Sequence, residues 1–282
     1  MFTRKFLRRK VLAGVAVVAA AVLGMAGAAG AAPRVGIQAL DEVSGTANGT
    51  VFRTTFAAGT PLLSRFQYHY TSEDHHIRTV SAMPLPQQFA VEVGFADENG
   101  DDQYTYRVSH QRVDSGGLVP GTFHGTCAGQ CTTALNTRPA GDFVFVLSGF
   151  RVTYDNADHH LDRIAVLENG GSLTTAFRDL NGDDRFTYDV SYVWVPRARL
   201  GTITTILSSA HAVGSASRAA VAGEKVIRGF DLDNLATGNA GDNHIKDLGV
   251  VGNFTSFDFL YGDSNPADSA DWLFRADYAT LA

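Results

Sequence analysis

Basic residues are scarce beyond the start of this chain. Of its 23 Lys and Arg, five (Arg4, Lys5, Arg8, Arg9 and Lys10) stand in the first ten residues, and no acid occurs before residue 33. The remaining 18 bases face 29 acids, a formal charge of −11. A nucleic-acid binder needs a basic footprint to displace counterions, so that class is excluded. Long apolar runs are scarce as well. After Val11–Ala32 no segment approaches the roughly 20 residues that cross a bilayer as a helix. Phosphate-cradling glycine loops and the G-x-S-x-G and H-E-x-x-H motifs are missing, which removes the commonest nucleotide-binding and hydrolase signatures.

Only two cysteines are present, Cys127 and Cys131. In an exported chain they are expected to form a disulfide closing a very short loop. A metal site on His124, Cys127 and Cys131 is the alternative, but no nearby residue supplies a fourth zinc ligand. Export itself is read from residues 1–32, expected to be a signal peptide. It has a basic start, an apolar middle, and Ala29-Gly30-Ala31 ahead of a cut before or just after Ala32. Arg8-Arg9 followed by Val11-Leu12 resembles a twin-arginine export signal, so both that route and the general secretory one stay open. The expected location is secreted, with no membrane span after cleavage. An aromatic content of 10% with 29 Gly favours sheet over helix.

Internal repetition decides the architecture. Asp74-His75-His76-Ile77, Asp158-His159-His160-Leu161 and Asp242-Asn243-His244-Ile245 recur at intervals of 84 residues. Ala58-Gly59, Ala140-Gly141 and Ala222-Gly223 precede them, and Phe66, Phe150 and Phe230 lie between. Phe95–Tyr106 matches Phe177–Tyr188, with a stretched third copy from Tyr261 to Tyr278. The domains expected are therefore repeats over 35–118, 119–200 and 201–282. Alternation in Phe66/Tyr68/Tyr70, Phe150/Val152/Tyr154 and Phe186/Tyr188/Val190/Tyr192 reads as half-buried strands, and Asn99-Gly100 and Asn181-Gly182 as hairpin turns. Thr202–Ala222, rich in Ala and Ser, is the one stretch that admits a helix, against its β-branched start. The fold class expected is all-β: three tandem homologous antiparallel units of four to six strands, small and sandwich-like, in a pseudo-threefold ring or an open row.

Two polar elements repeat. Asp97-x-Asn99-Gly100-Asp101 and Asp179-x-Asn181-Gly182-Asp183 place oxygens at alternate positions, with Asp263, Asn265 and Asp268 as the third set. Calcium takes six to eight oxygens, and this spacing lets one turn supply several. The stretches resemble the first half of the calcium loops of EF-hands and dockerin modules over about six residues. They depart from that pattern at Asp102 and Asp184, which replace glycine, and at Val108 and Val190, which replace the twelfth-position Glu. That rules out a full EF-hand and leaves a looser calcium site, with calcium as the cofactor expected, or a plain solvated turn. The second element is Asp-x-His: Asp74/His76, Asp158/His160 and Asp242/His244. A carboxylate beside an imidazole suits a polar corner, a metal-bound histidine or a general base. In a closed ring the three histidines would converge on the axis.

Val113-Asp114-Ser115-Gly116-Gly117 and Ser208-Ser209-Ala210-His211 resemble segments of chymotrypsin-like proteases, but their chain order is wrong for that family. The function expected is a secreted, non-catalytic binding module. It would be calcium-assisted and monomeric, taking an extracellular polymer, cell-surface or carbohydrate ligand through repeated weak sites. Tyr104, Phe186, Trp194 and Trp272 are candidate stacking faces, although most of them are expected in the core. The alternatives are a structural envelope protein with no small ligand and a hydrolase built on an Asp-His pair.

Overall fold

The computed structural model describes residues 37–282 except 56–57, 72–75, 98–102, 136–137, 155–159, 180–184, 212–213, 235–244 and 264–270. Six strands come from each copy. Copy one holds β1 (Ile37–Asn48), β2 (Thr50–Thr54), β3 (Thr60–Tyr70), β4 (Ile77–Leu85), β5 (Ala90–Asp97) and β6 (Gln103–Val113). Copy two holds β7 (Val119–Ala128), β8 (Gln130–Ala134), β9 (Phe143–Tyr154), β10 (Leu161–Asn169), β11 (Ser172–Asp179) and β12 (Arg185–Pro196). Copy three holds β13 (Leu200–His211), β14 (Gly214–Ala219), β15 (Lys225–Asn234), β16 (Ile245–Gly252), β17 (Ser256–Asp263) and β18 (Asp271–Leu281). Alternation decides the buried face: Phe66, Tyr68 and Tyr70 are fully buried while Gln67 and His69 between them are half-exposed. Thr202–Ala222 is not a helix. Its β-branched residues outweigh its Ala and Ser content, and it forms β13 and β14.

The strands make three six-stranded antiparallel sheets, in the orders β1-β6-β3-β16-β17-β14, β2-β5-β4-β9-β12-β7 and β13-β18-β15-β10-β11-β8. In every copy the first, sixth and third strands lie in one sheet and the second, fifth and fourth in the next. Each copy is thus a small sandwich of two half-sheets, and a neighbour completes each half-sheet. The joins are β4 to β9, β10 to β15 and β16 to β3. The last returns copy three to copy one, so the units close into a pseudo-threefold ring. Each join covers backbone groups that a lone copy would leave as an open edge. Gly49 and Gly129, at φ of 67° and 69°, turn the chain from one sheet into the next between the first and second strands.

Phe66, Phe150 and Phe230 meet on the axis, with ring centroids 4.8–5.0 Å apart and no exposure. Tilted aromatic contacts at this separation are favourable beyond area burial. Tyr104, Phe186, Trp194 and Trp272 are buried in the same core, as expected for most of them, and none offers a stacking face. At the end of the axis where the third strands begin, Leu62, Val144, Val146 and Val226 form a second apolar cluster with Val193, Val195 and Leu200. There the fully buried His110 Nε2 donates to the Ser148 carbonyl at 3.0 Å, and Ser148 Oγ donates to the Pro61 carbonyl at 2.7 Å, tying copy one to copy two. Burial, and then the charge of Arg112, push His110 down to about 3, so it is neutral near pH 7.

One edge-strand position differs among copies in an instructive way. Gly45 and Gly125 pair with Tyr106 and Tyr188, whereas copy three pairs Ser208 with Phe274. A Cβ at Gly125 would lie 2.6 Å from the Tyr188 hydroxyl, and one at Gly45 3.0 Å from that of Tyr106. Where the ring lacks the hydroxyl, the strand opposite tolerates a side chain. Ser208 is buried there, and its Oγ has no hydrogen-bond partner.

Candidate functional site

The two polar elements that lie apart in sequence come together through hairpin register. Ile77 pairs with Asp97, Leu161 with Asp179 and Ile245 with Asp263. The residue that follows each Asp-x-His element therefore lies opposite the first aspartate of the acidic stretch, where the fourth strand begins. His76 and His160 meet there, with ring centroids 4.7 Å apart and the rings tilted by 51°. His160 is buried, His76 half-buried, and Asp97 buried at the end of β5. Asp74, Asp158, Asp242, His244, Asn99, Asp101, Asn181, Asp183, Asn265 and Asp268 lie outside the described residues. Asp179 and Asp263 end β11 and β17. Among the described residues no three His, Cys, Asp or Glu side chains are grouped closely enough to hold a metal ion.

Cys127 and Cys131 are bonded to each other, with Cα atoms 5.9 Å apart across the β7–β8 corner. Ala47 and Val51 stand at the matching places in copy one, so the bridge is a local addition to a corner that packs without it. The protease-like segments are structural. Asp114 Oδ1 caps the Gly116 amide in a turn and its carboxylate holds Arg199, while Ser208 faces Phe274.

A cleft of about 790 Å³ opens at the join between copies one and two, lined by residues of the second sheet and by Gly59, Thr60 and Pro61 where β3 begins. Strands β4 and β9 pair only from Thr79–Ala82 to Thr153–Phe150. Beyond Ala82 come Pro84 and Pro86, which have no N–H to extend a ladder. The chain instead makes a 3-10 turn over Pro86–Gln88, ending at Phe89 with φ 48°. Copy two makes this connection with Gly170-Gly171, so the projecting wall belongs to copy one. Pro86, Gln87 and Gln88 line one side of the cleft; Pro120, Arg151 and Asp189 line the other.

A hydrogen-bonded chain runs from the cleft across the sheet. Arg151 donates Nε and Nη2 to Asp189 Oδ2 at 2.9 and 2.5 Å, and Nη1 to Glu92 Oε2 at 2.9 Å. Asp189 Oδ1 lies 2.8 Å from His124 Nδ1. Burial alone would lower Arg151, but its bonds to Asp189 and the charge of Glu92 outweigh that and raise it. His124 is largely exposed and, unlike Arg151 and Asp189, does not line the cleft. A second Asp–His contact, His69–Asp247 at 2.7 Å, lies on the first sheet. Neither belongs to the repeated Asp-x-His element.

Beside this chain lies a row of threonines. Thr126, Thr187, Thr153 and Thr79 pair in succession across β7, β12, β9 and β4, and Thr79 Oγ1 bonds Thr153 Oγ1 at 3.3 Å. The matching row of the first sheet is Thr46, Thr105, His69 and Asp247, and that of the third includes Leu273, Asp233 and Arg163. The second sheet alone presents four small hydroxyls there. No known protein family and no curated protein matches the chain.

Proposed function

We propose that this is an exported, non-catalytic binding module for an uncharged, hydroxyl-rich extracellular polymer, a polysaccharide chain, laid along the outer face of the second sheet. The observation that carries this reading is the cleft set directly beside the polar and threonine rows. Its volume lies in the range of about 300–1,000 Å³ typical of small-ligand sites, enough for one sugar ring with its neighbours on the open face. Gln87, Gln88 and Asp189 offer donors and acceptors in fixed planes, which suit vicinal hydroxyls. Pro86 and Pro120 offer apolar surface for ring C–H groups. The charge of −11 beyond residue 32 disfavours a polyanion. Export rests on the leader sequence. Calcium bound at the acidic hairpins belongs to the same proposal as a stiffening of the ring's end away from the cleft.

The test is affinity for a panel of insoluble and soluble neutral polysaccharides, measured with and without calcium, for the wild type and for Gln88→Ala and Thr187→Val. Gln88 is exposed and Thr187 half-buried, and both changes spare the Arg151 network. Binding weakened about tenfold or more by each, with unchanged melting, supports the reading. Binding equal in all three proteins, or none across the panel, overturns it. Released reducing ends would instead favour the hydrolase alternative, for which His124 backed by Asp189 is the specific observation.

A further inference from the structure

We propose that copy three docks an extended, uncharged peptide segment, which adds as a strand to the free edge of β13 and lodges one aromatic side chain in a pocket that the other two copies fill from within. The pocket, of about 470 Å³, is lined by Thr204, Thr205 and Ile206 of β13, by residues 219–221 where β14 ends, and by Tyr278 of β18. None of these residues lines the cleft of the second sheet, so neither reading rests on the other.

Register shows what copy three lacks. Asp41, Gly121 and Thr204 hold one place on the first strand of each copy, opposite His110, Tyr192 and Tyr278. Arg112, Trp194 and Thr280 follow two residues later on the sixth strand, and Thr55, Leu135 and Ala220 come just after the second. In copy one Arg112 spans the space, donating to Asp41 Oδ2 at 2.9 and 2.5 Å and to Thr55 Oγ1 at 3.3 Å. Copy two puts Trp194 and Leu135 at these places, both buried. Copy three has the shorter Thr204, Ala220 and Thr280, and the pocket opens.

The walls define the occupant. Successive strand residues point to opposite faces, so a cavity lined by three in a row meets β13 at its edge. Among the described residues β13 pairs with β18 alone, which leaves its outer backbone groups to an incoming strand. Main-chain pairing demands an extended peptide, and the adjoining pocket selects one side chain. Over its 12 residues β13 has no Asp, Glu, Lys, Arg or Pro. The matching edge strands carry Asp41 and Glu42 in copy one and Pro120 in copy two, residues that discourage pairing. No lining residue of the pocket is charged, and Val221 leaves apolar surface exposed there. Trp194, at the matching place in copy two, sets the size of the side chain.

The test titrates the mature protein with seven-residue peptides of alternating Ser and Thr that carry Trp, Phe, Leu or Ala at the centre, followed by calorimetry and amide NMR. One peptide per chain is expected, with the Trp and Phe forms at least about tenfold tighter than the Ala form. Amide shifts should concentrate at residues 204–206 and 219–221. Ala220→Leu, which restores the residue of copy two, should weaken the Trp peptide at least about tenfold without lowering the melting temperature. N-methylation of one of the two alternate sets of peptide amides should do the same, because it removes the donors that face β13. Should the variant fail to fold, the wild-type shift map and the methylated peptides decide. Binding by none of the peptides, shifts centred elsewhere, or an Ala220→Leu protein that folds and binds equally well overturns the proposal. So does undiminished binding of both methylated forms, or of free 3-methylindole, since the pocket would then take a small aromatic molecule instead of a strand.

Discussion

Gly125→Ser is the sharpest test of the packing logic, because copy three already contains its compensation. Ordinary contact begins near 3.4 Å, and a Cβ at residue 125 would sit 2.6 Å from the Tyr188 hydroxyl and 2.7 Å from the ring carbon that bears it. The overlap is about 0.8 Å against a buried, rigid ring, so the ring or the edge strand must move. Overpacking of this kind costs about 1–3 kcal/mol. In a domain of this size that lowers the melting temperature by about 2–4 °C for each kcal/mol. At Gly45 the nearest atom is 3.0 Å away, half that overlap, and Gly45→Ser should cost correspondingly less. Adding Tyr188→Phe to Gly125→Ser recreates the Ser208–Phe274 pair and removes the 2.6 Å contact but not the 2.7 Å one to the ring carbon, so it should recover part of the loss. Urea unfolding of wild type, both single variants and the double closes a thermodynamic cycle, with a coupling of about 1 kcal/mol or more expected. A cost for Gly125→Ser within about 0.5 kcal/mol, or no coupling, would refute the idea that the hydroxyl dictates the glycine.

Two further outcomes follow from the described contacts. Replacing Cys127 and Cys131 by Ala and Val, the residues at the matching positions of copy one, should leave the fold intact and lower stability by roughly 2 kcal/mol or less, since the closed loop is short. Failure of that variant to fold would show the corner depends on the bond. His110 predicts an acid-side weakening. Its folded pKa of about 3 lies below the ordinary 6.5, so between those values the unfolded chain binds a proton that the folded chain refuses. Stability is present in full above 6.5 and falls by about 1.4 kcal/mol per pH unit below it, or about 2 kcal/mol at pH 5. An NMR titration in which His110 protonates near pH 6 would contradict this.

Much of the fold was readable because the strands are amphipathic with period two and the copies repeat their landmarks. Phe66, Phe150 and Phe230 could be aligned from spacing alone. Their meeting on an axis could not, because nothing local to β3 says that its free edge belongs to β16. That choice depends on which neighbour's surface completes the core. The pairing of Tyr with Gly and of Phe with Ser was visible in principle by aligning the copies, but its meaning needs the strand register that sets Gly125 against Tyr188. The cleft left one local trace, the Pro84 and Pro86 pair in a connection that copy two makes with two glycines. The threonine row left none. Thr79, Thr126, Thr153 and Thr187 belong to four strands of two copies, and their alignment exists only across the sheet.

The exchange of half-sheets also governs how the chain reaches its folded state. Strand β3 waits for β16, and Phe66 is paired with Val250, so the first copy cannot be finished until nearly the whole chain is present. Contacts of such sequence separation slow folding, because a long loop must close before the pairing is rewarded. Truncation within copy three would not simply leave two intact units. It would strand the edges of β3 and β10 together and split the aromatic axis, so the ring should be gained or lost as one cooperative whole.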